Sequence, residues 1–489
     1  MANMQSLAKD TAIYGMSSIV GRFLNYLLVP LYTHCISAES GGYGVVTNLY
    51  AYVALVLVIL TFGMETTYFR FANNGKDDPD TVFSTAMGVV CGLSLLFMLG
   101  ITCFADPICA ALGYSDHHDY VLMMAAVVAL DGIQAIPFSR LRFKKRPLMF
   151  VTLKTLFIVM NIGLNVLCFS VIGMTDVWYV FALNLLCTGF ITFFFIPDML
   201  TVHWSFDVSL LKRMFTYSWP ILVLGIAGIL NQAFDKMIFP WAYSHTGLHT
   251  IEEANVQLGL YGACVKVAMI MAMITQAFRY AYEPIVFAKS KDKDSKEYYA
   301  VAMKYFIIFT LFAFLCVVGY MDILKHIIKS DYHEALCTIP IVMAAEIMMG
   351  IYFNLSFWYK IIDKTIWGAI FSFTGCAVLI ATNILFIPKY GYMACAWGGV
   401  AGYATAMVLS YVVGQRKNPI AYPLKSIGVY VLITLLFFAV MHYLPDYVDS
   451  VILRLVINTG LIAAFVAHII HYDLPLSSLP VIGKHFRKK

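Results

Sequence analysis

Twelve ionisable side chains sit inside stretches that are otherwise apolar: Arg22, Glu65, Asp131, Lys154, Asp235, Lys236, Lys266, Arg279, Glu283, Lys304, Glu346 and Arg454. Cations there can hold an anionic ligand, and Arg adds a planar fork of donors suited to phosphate oxygens. Carboxylates there can take up a proton or bind a cation. Lys304, Arg454 and Glu283 lie near the ends of their apolar stretches and can reach an interface. The other nine lie deeper. Left in hydrocarbon they would cost on the order of 20 kcal/mol together, more than ordinary folding stability. They must pair, neutralise or face water.

Depth sorts these nine. Arg22, Asp131 and Glu346 fall near mid-stretch, Glu65, Lys154 and Arg279 toward one end, and Asp235, Lys236 and Lys266 toward the other. Neutral polar residues Asn25, Gln134, Asn161, Asn165, Asn231 and Gln276 accompany them. The series reads as a polar route from one face to the other, able to carry a large anionic cargo. Arg22, Asn25, Gln134, Lys154, Asn231, Lys266 and Arg279 are the candidate substrate contacts, and Glu65, Asp131, Asp235 and Glu346 the candidate ion-coupling acids. Two pairings compete with that reading. Asp235 with Lys266, and Asp131 with Lys154, would each serve as a buried structural pair. Lys236 follows Asp235 directly and points off its helix face, so one of the two turns to lipid or a neighbouring helix.

The elements that hold these residues are membrane spans. The chain is 61% hydrophobic and only 12% charged, against about 25% charged in soluble domains. Apolar runs of about 20 residues, each enough to cross hydrocarbon, recur about fourteen times. They cover approximately 10–33, 44–69, 81–104, 119–139, 149–172, 176–196, 216–241, 258–283, 298–322, 337–359, 366–387, 393–413, 425–445 and 451–471. Lys and Arg crowd every second loop, from Lys9 through Arg140–Arg146 and Lys289–Lys296 to Lys484–Lys489, while the opposite loops hold only Lys325, Lys329 and Lys389. The positive-inside rule puts both termini in the cytoplasm.

This layout predicts an all-α polytopic membrane protein. Residues 1–200 would form a first six-helix lobe, 201–420 a second, and 421–489 an appended hairpin with a basic cytoplasmic tail. The link from Asp198 to Phe215 reads as an amphipathic surface helix at the boundary. A faint parallel repeat relates the halves: Asn25 precedes Pro30 by the interval at which Asp235 precedes Pro240.

Other chemistries find little support. The net charge of +5 is spread over many short loops, so no nucleic-acid partner is expected. The eleven cysteines are scattered without a Cys-x-x-Cys, which argues against zinc or redox work; Cys103 and Cys109 are close enough in sequence for a disulfide to stay open. Asp116-His117-His118-Asp119 reads better as a solvated helix start than as a metal cluster. No Walker loop is present, so ATP hydrolysis by that route is not expected. No cofactor is expected, and the short loops leave little room for a catalytic domain.

Two stretches carry a resemblance. Leu28-Val29-Pro30-Leu31-Tyr32-Thr33, the turn to Tyr43-Gly44, then Gly63-Met64-Glu65-Thr66 and Phe69-Arg70-Phe71, resemble the N-terminal signature of bacterial polysaccharide-biosynthesis flippases. These are the Wzx-type members of the multidrug/oligosaccharidyl-lipid/polysaccharide (MOP) exporter superfamily. Ala277-Phe278-Arg279 through Glu283-Pro284 is similar to the eighth-helix region of that family. The chain departs from it at the first outer turn, where His34 to Gly44 replace a compact Ser-Pro-x-Glu-Tyr-Gly. The resemblance implies a multi-pass protein of the bacterial plasma (inner) membrane that moves a polyprenyl-diphosphate-linked glycan from inner to outer leaflet by alternating access. A proton or sodium gradient would drive it, and its partners would be membrane lipids and other polysaccharide-assembly enzymes. A drug or organic-cation antiporter of the same superfamily, and a membrane glycan polymerase or ligase, are the alternatives.

Overall fold

The computed structural model describes residues 28–202, 207–289, 294–362 and 364–473. Every regular element among them is helical. Hydrocarbon offers no partner for backbone N–H and C=O groups, and a helix satisfies them within one segment. In chain order the main helices are α1 Leu28–Cys35, α2 Gly42–Thr61, α3 Met64–Ala72, α4 Pro79–Cys103, α5 His118–Phe143, α6 Pro147–Val166, α7 Trp178–Phe193, α8 Val208–Ser244, α9 Ile251–Ala268 and α10 Ile270–Lys289. They continue as α11 Ser295–Gly319, α12 Thr338–Leu355, α13 Phe357–Ile361, α14 Ile366–Tyr390, α15 Tyr392–Lys417, α16 Leu424–Tyr443 and α17 Val451–Tyr472.

Among the described residues, 11 helices are long and apolar enough to cross a membrane, or 12 if α9 and α10, bent by 40° at their junction, form one span. Helix α7 is apolar but shorter, at 16 residues. Of the first expected span only the end, α1, is described. The count of fourteen is not reached among the described residues, but the spans found fall on the apolar runs of the sequence.

Two features were not legible as such. The second span divides at Phe62 and Gly63, which both adopt left-handed backbone, with φ of 48° and 66°. Gly63 lies against Ile221 and the Ser218 carbonyl of α8, which leaves no space for a side chain. The link expected as a surface helix instead forms, from Val208 on, the first turns of α8. Asp207 caps it by accepting from the N–H groups of Ser209 and Leu210, at 2.8 and 3.2 Å. Its 37 residues run about 55 Å, past the roughly 30 Å of hydrocarbon.

Burial of apolar surface drives little association in lipid, so close backbone approach and hydrogen bonds must hold the helices together. The Ser40-Gly41-Gly42-Tyr43-Gly44 turn shows how. A Cβ on Gly44 would fall 1.8 Å from the Asn255 carbonyl oxygen of α9, and one on Gly262 would fall 2.4 Å from Thr47 Oγ1. Helices α2 and α9 thus touch backbone to backbone, through glycines on both. Beside this seam Tyr332 donates to the Ile36 carbonyl at 3.0 Å and meets Tyr43 edge-on.

The closing hairpin, α16 and α17, packs on α11 and is tied at both ends. Lys304 pairs with Asp473, which also accepts from Tyr430. At the far end Asp322 receives Lys325 at 2.8 Å and Arg454 at 3.1 Å. Lys304 and Arg454, expected to reach for an interface, are therefore ion-paired. All eleven cysteines are free, with Cys109 buried and Cys103 exposed.

Candidate functional site

Helix α8 carries a polar cluster next to Pro240. Pro240 has no N–H to give the Lys236 carbonyl, and its ring crowds the turn below. Helix α2 supplies the missing donors: Asn48 Nδ2 donates to the Lys236 carbonyl at 2.7 Å, and Tyr52 OH to that of Met237 at 3.0 Å. One turn before this proline, Lys236 Nζ lies 3.0 Å from both carboxylate oxygens of Asp235, and Tyr261 OH of α9 donates to Oδ2 at 3.0 Å. The adjacent lysine was expected to point away. Its four-carbon stem instead curls back around the helix, so the ammonium reaches the neighbouring carboxylate. Asp235 is 8% exposed. Glu346 of α12 lies within electrostatic reach of Lys236, and so does Lys266 of α9, which repels it.

The earlier half holds a second cluster. Asp131 of α5 and Lys154 of α6 are within electrostatic reach of each other, yet their closest approach is no ion pair. Lys154 Nζ sits 4.1 Å from the Phe138 ring centroid. Glu65 of α3 pairs with Arg142 at 3.0 Å, and Ser139 stands between them. Gln134 spends its amide on the Thr188 carbonyl and Thr192 hydroxyl, at 2.9 and 2.8 Å. Asn231 likewise donates to the Ala227 carbonyl at 3.0 Å and, more weakly, to Ser372. Both amides are buried in helix contacts.

Arg279 of α10 stands over the Phe353 ring of α12 at 5.0 Å, on a small cleft between these helices. It is brought together with Lys360, not with Lys154 or Lys266. Arg22 and Asn25 lie outside the described residues.

On the Lys/Arg-rich face the structure adds anchors that sequence spacing could not show. Arg140, read from sequence as part of a topology signal, is 5% exposed. It bridges Asp80 at 2.7 Å and Asp198 at 2.9 Å, under the Phe83 ring. Arg213 forks onto Asp77 at 2.6 and 3.2 Å, and Arg70 covers Tyr217 at 4.0 Å. These join α3 and the entry to α4 to the start of α8. The partners lie 58 to 147 residues apart, and no local pattern marks them. Among the described residues no cluster of His, Cys, Asp or Glu could hold a metal ion; His118 pairs with Asp106 instead.

The family model for the polysaccharide biosynthesis protein family matches residues 39–337, more than half of the chain. The chain belongs to that family. The matched region runs from the glycine turn to the start of α12 and so includes both charged clusters except Glu346. Among solved structures the chain is similar to the lipid II flippase MurJ in an inward closed conformation, at 14% identity and a TM-score of 0.72, covering 95% of this chain and 99% of the other. It is also similar to an inward-facing multidrug resistance MATE family transporter of the MOP superfamily, at 13% identity and 0.64, covering 81% and 94%. The MATE multidrug transporter DinF-BH follows at 16% and 0.59, covering 84% and 96%. None of the curated proteins matches by sequence. The polysaccharide biosynthesis chain therefore has the fold of the MOP exporters, a multi-pass helical membrane fold.

Proposed function

We propose that this protein is a flippase that moves a polyprenyl-diphosphate-linked oligosaccharide from the inner to the outer leaflet of a bacterial plasma membrane. What carries the reading is a set of cations held within a polysaccharide-biosynthesis chain of MOP fold: Lys154 in the first half, Lys266 and Arg279 in the second, as stations beyond the anchor expected at Arg22. A diphosphate needs such stations, and the lipid tail need never leave the bilayer. Two lobes, 1–200 and 201–420, would rock between inward-open and outward-open states, with both termini in the cytoplasm and 421–489 as an appended hairpin.

Coupling would fall to Asp131 and Glu346, one in each half, because Asp235 is already engaged by Lys236 and Glu65 by Arg142. Either a proton or a sodium ion fits a carboxylate so placed. No enzymatic step is required of any residue.

The test is reconstitution into liposomes with a fluorescent polyprenyl-diphosphate sugar, under proton and sodium gradients in turn. Movement between leaflets that depends on the protein supports the reading. A protein that leaves this lipid in place but extrudes a fluorescent organic cation would overturn it in favour of an antiporter using the same two acids.

A further inference from the structure

Helix α5 ends in a turn that ordinarily calls for glycine. The Lys145 N–H donates to the Arg142 carbonyl at 3.1 Å, and the Arg146 N–H to that of Leu141 at 2.9 Å. This pair of bonds closes a helix through one residue of left-handed backbone. The short helix Ala105–Leu112 ends on the same pair, from Gly113 to Ala110 and from Tyr114 to Cys109, and there Gly113 holds the left-handed position at φ 81°. In α5 that position is Lys145, at φ 52°. A Cβ there crowds the backbone, a cost that glycine escapes. The outlier points to a use for the lysine side chain.

Its neighbours show what kind. Of the five basic residues from Arg140 to Arg146, two are engaged inside the protein: Arg140 with Asp80 and Asp198, and Arg142 with Glu65. Lys144, Lys145 and Arg146 are exposed and form no ion pair among the described residues. The helices they join are both long and apolar enough to cross a membrane, so the three charges stand where hydrocarbon gives way to headgroups. Leu148, just beyond them, is 77% exposed. Arg140 also holds the short helix Ile196–Leu200 through Asp198, and Leu200 at its end is 81% exposed.

Unpaired cations next to bare leucines match a surface that is anionic at its rim and apolar just inside it. We infer that the Lys144–Arg146 turn is a docking site for the phosphate of an anionic phospholipid headgroup, with Leu148 and Leu200 in the adjoining acyl region. The site concerns resident lipid and is independent of the cargo carried, so it stands or falls apart from the flippase reading.

The experiment titrates fluorescent phosphatidylglycerol into the full chain in neutral detergent, with fluorescent phosphatidylcholine as reference, and follows the melting temperature in the same detergent without lipid. Wild type is expected to prefer phosphatidylglycerol. Lys145→Gly should bind it about fivefold more weakly, the effect of one cation at a charged lipid surface, and should melt higher because the turn regains its glycine. Lys144→Gln, Lys145→Gly and Arg146→Gln together should abolish the preference. Arg416→Gln, Lys417→Gln and Lys425→Gln together remove as much exposed charge from another basic loop and should leave the preference intact. An equal loss in that control would overturn the inference, reducing the effect to general charge attraction. So would a wild type that holds both lipids alike, or a Lys145→Gly protein that keeps its full affinity. A Lys145→Gly protein that melts lower would also overturn it, since the lysine would then serve the fold.

Discussion

The side-chain amide of Asn48 donates at 2.7 Å to the Lys236 carbonyl, the one that Pro240 leaves without its helical partner. Asn48 is itself held by Tyr114, which donates to its Oδ1 at 2.9 Å. A defect in one helix is thus repaired by another from the opposite half of the chain. Replacing Asn48 by Ala leaves that carbonyl unpaired in a buried place and should destabilise the fold by about 1–3 kcal/mol. In a Pro240→Ala background the helix repairs itself, so the same Asn48 change should cost clearly less. A double-mutant cycle on thermal stability measures the difference; equal losses in both backgrounds would show that the proline and the amide are independent.

The seam between α2 and α9 depends on glycine for space. Gly44→Ala drives a methyl into the Asn255 carbonyl, where neither backbone can yield cheaply. Loss of folded protein or of transport is expected. Gly92→Ala in α4 meets nothing within 4 Å and should be neutral or stabilise by up to about 1 kcal/mol. Yield and melting temperature of the two variants give the contrast, and similar behaviour would contradict the backbone contact.

Lys236 neutralises Asp235 from within. Lys236→Met strands a buried carboxylate with Tyr261 left to satisfy it, a loss on the order of 3 kcal/mol. Adding Asp235→Asn should recover much of the stability. A rise in transport for the single variant, with no loss of stability, would instead mean that Lys236 blocks an ion site.

At the Lys/Arg-rich face, hydrogen bonds from Arg213 hold the Asp77 carboxyl below its ordinary value, with Asn74 adding to the effect. A lowered acid contributes stability that is whole above the ordinary carboxylate range and fades as pH falls through its own lower value. The 73–78 loop should therefore stay protected from hydrogen exchange at neutral pH and loosen only in acid. Asp77→Asn should loosen it at neutral pH too, and high salt should weaken the wild-type clamp.

Arg22 is the cation expected from sequence to anchor the cargo. Arg22→Ala should abolish export while the protein remains in the membrane, and Arg22→Lys should restore it in part, because an ammonium lacks the fork. Export and membrane content measured together decide this; full activity in Arg22→Ala would move the anchor to Lys154, Lys266 or Arg279.

Much of the molecule was determined locally. Apolar runs of span length, interrupted by loops of alternating basicity, fix an all-helical membrane fold because hydrocarbon admits few other solutions. The rarity of charge in such runs singled out Asp131, Lys154, Asp235, Lys266, Arg279 and Glu346, since each must be justified against the same cost. What each charge faces was not local. Whether Lys236 points to lipid or folds onto Asp235 depends on Tyr261, a partner from another helix. Gln134 looked available because only a neighbouring helix reveals the Thr188 carbonyl it serves, and Asn231 because nothing local marks that its amide turns back on the Ala227 carbonyl of its own helix. Arg140 looked like a topology mark until Asp80 and Asp198 closed on it from 60 and 58 residues away. Sequence fixes the cost of a polar group in the membrane, but its partners are set by helix packing, and packing alone separates a structural pair from a group left open for cargo.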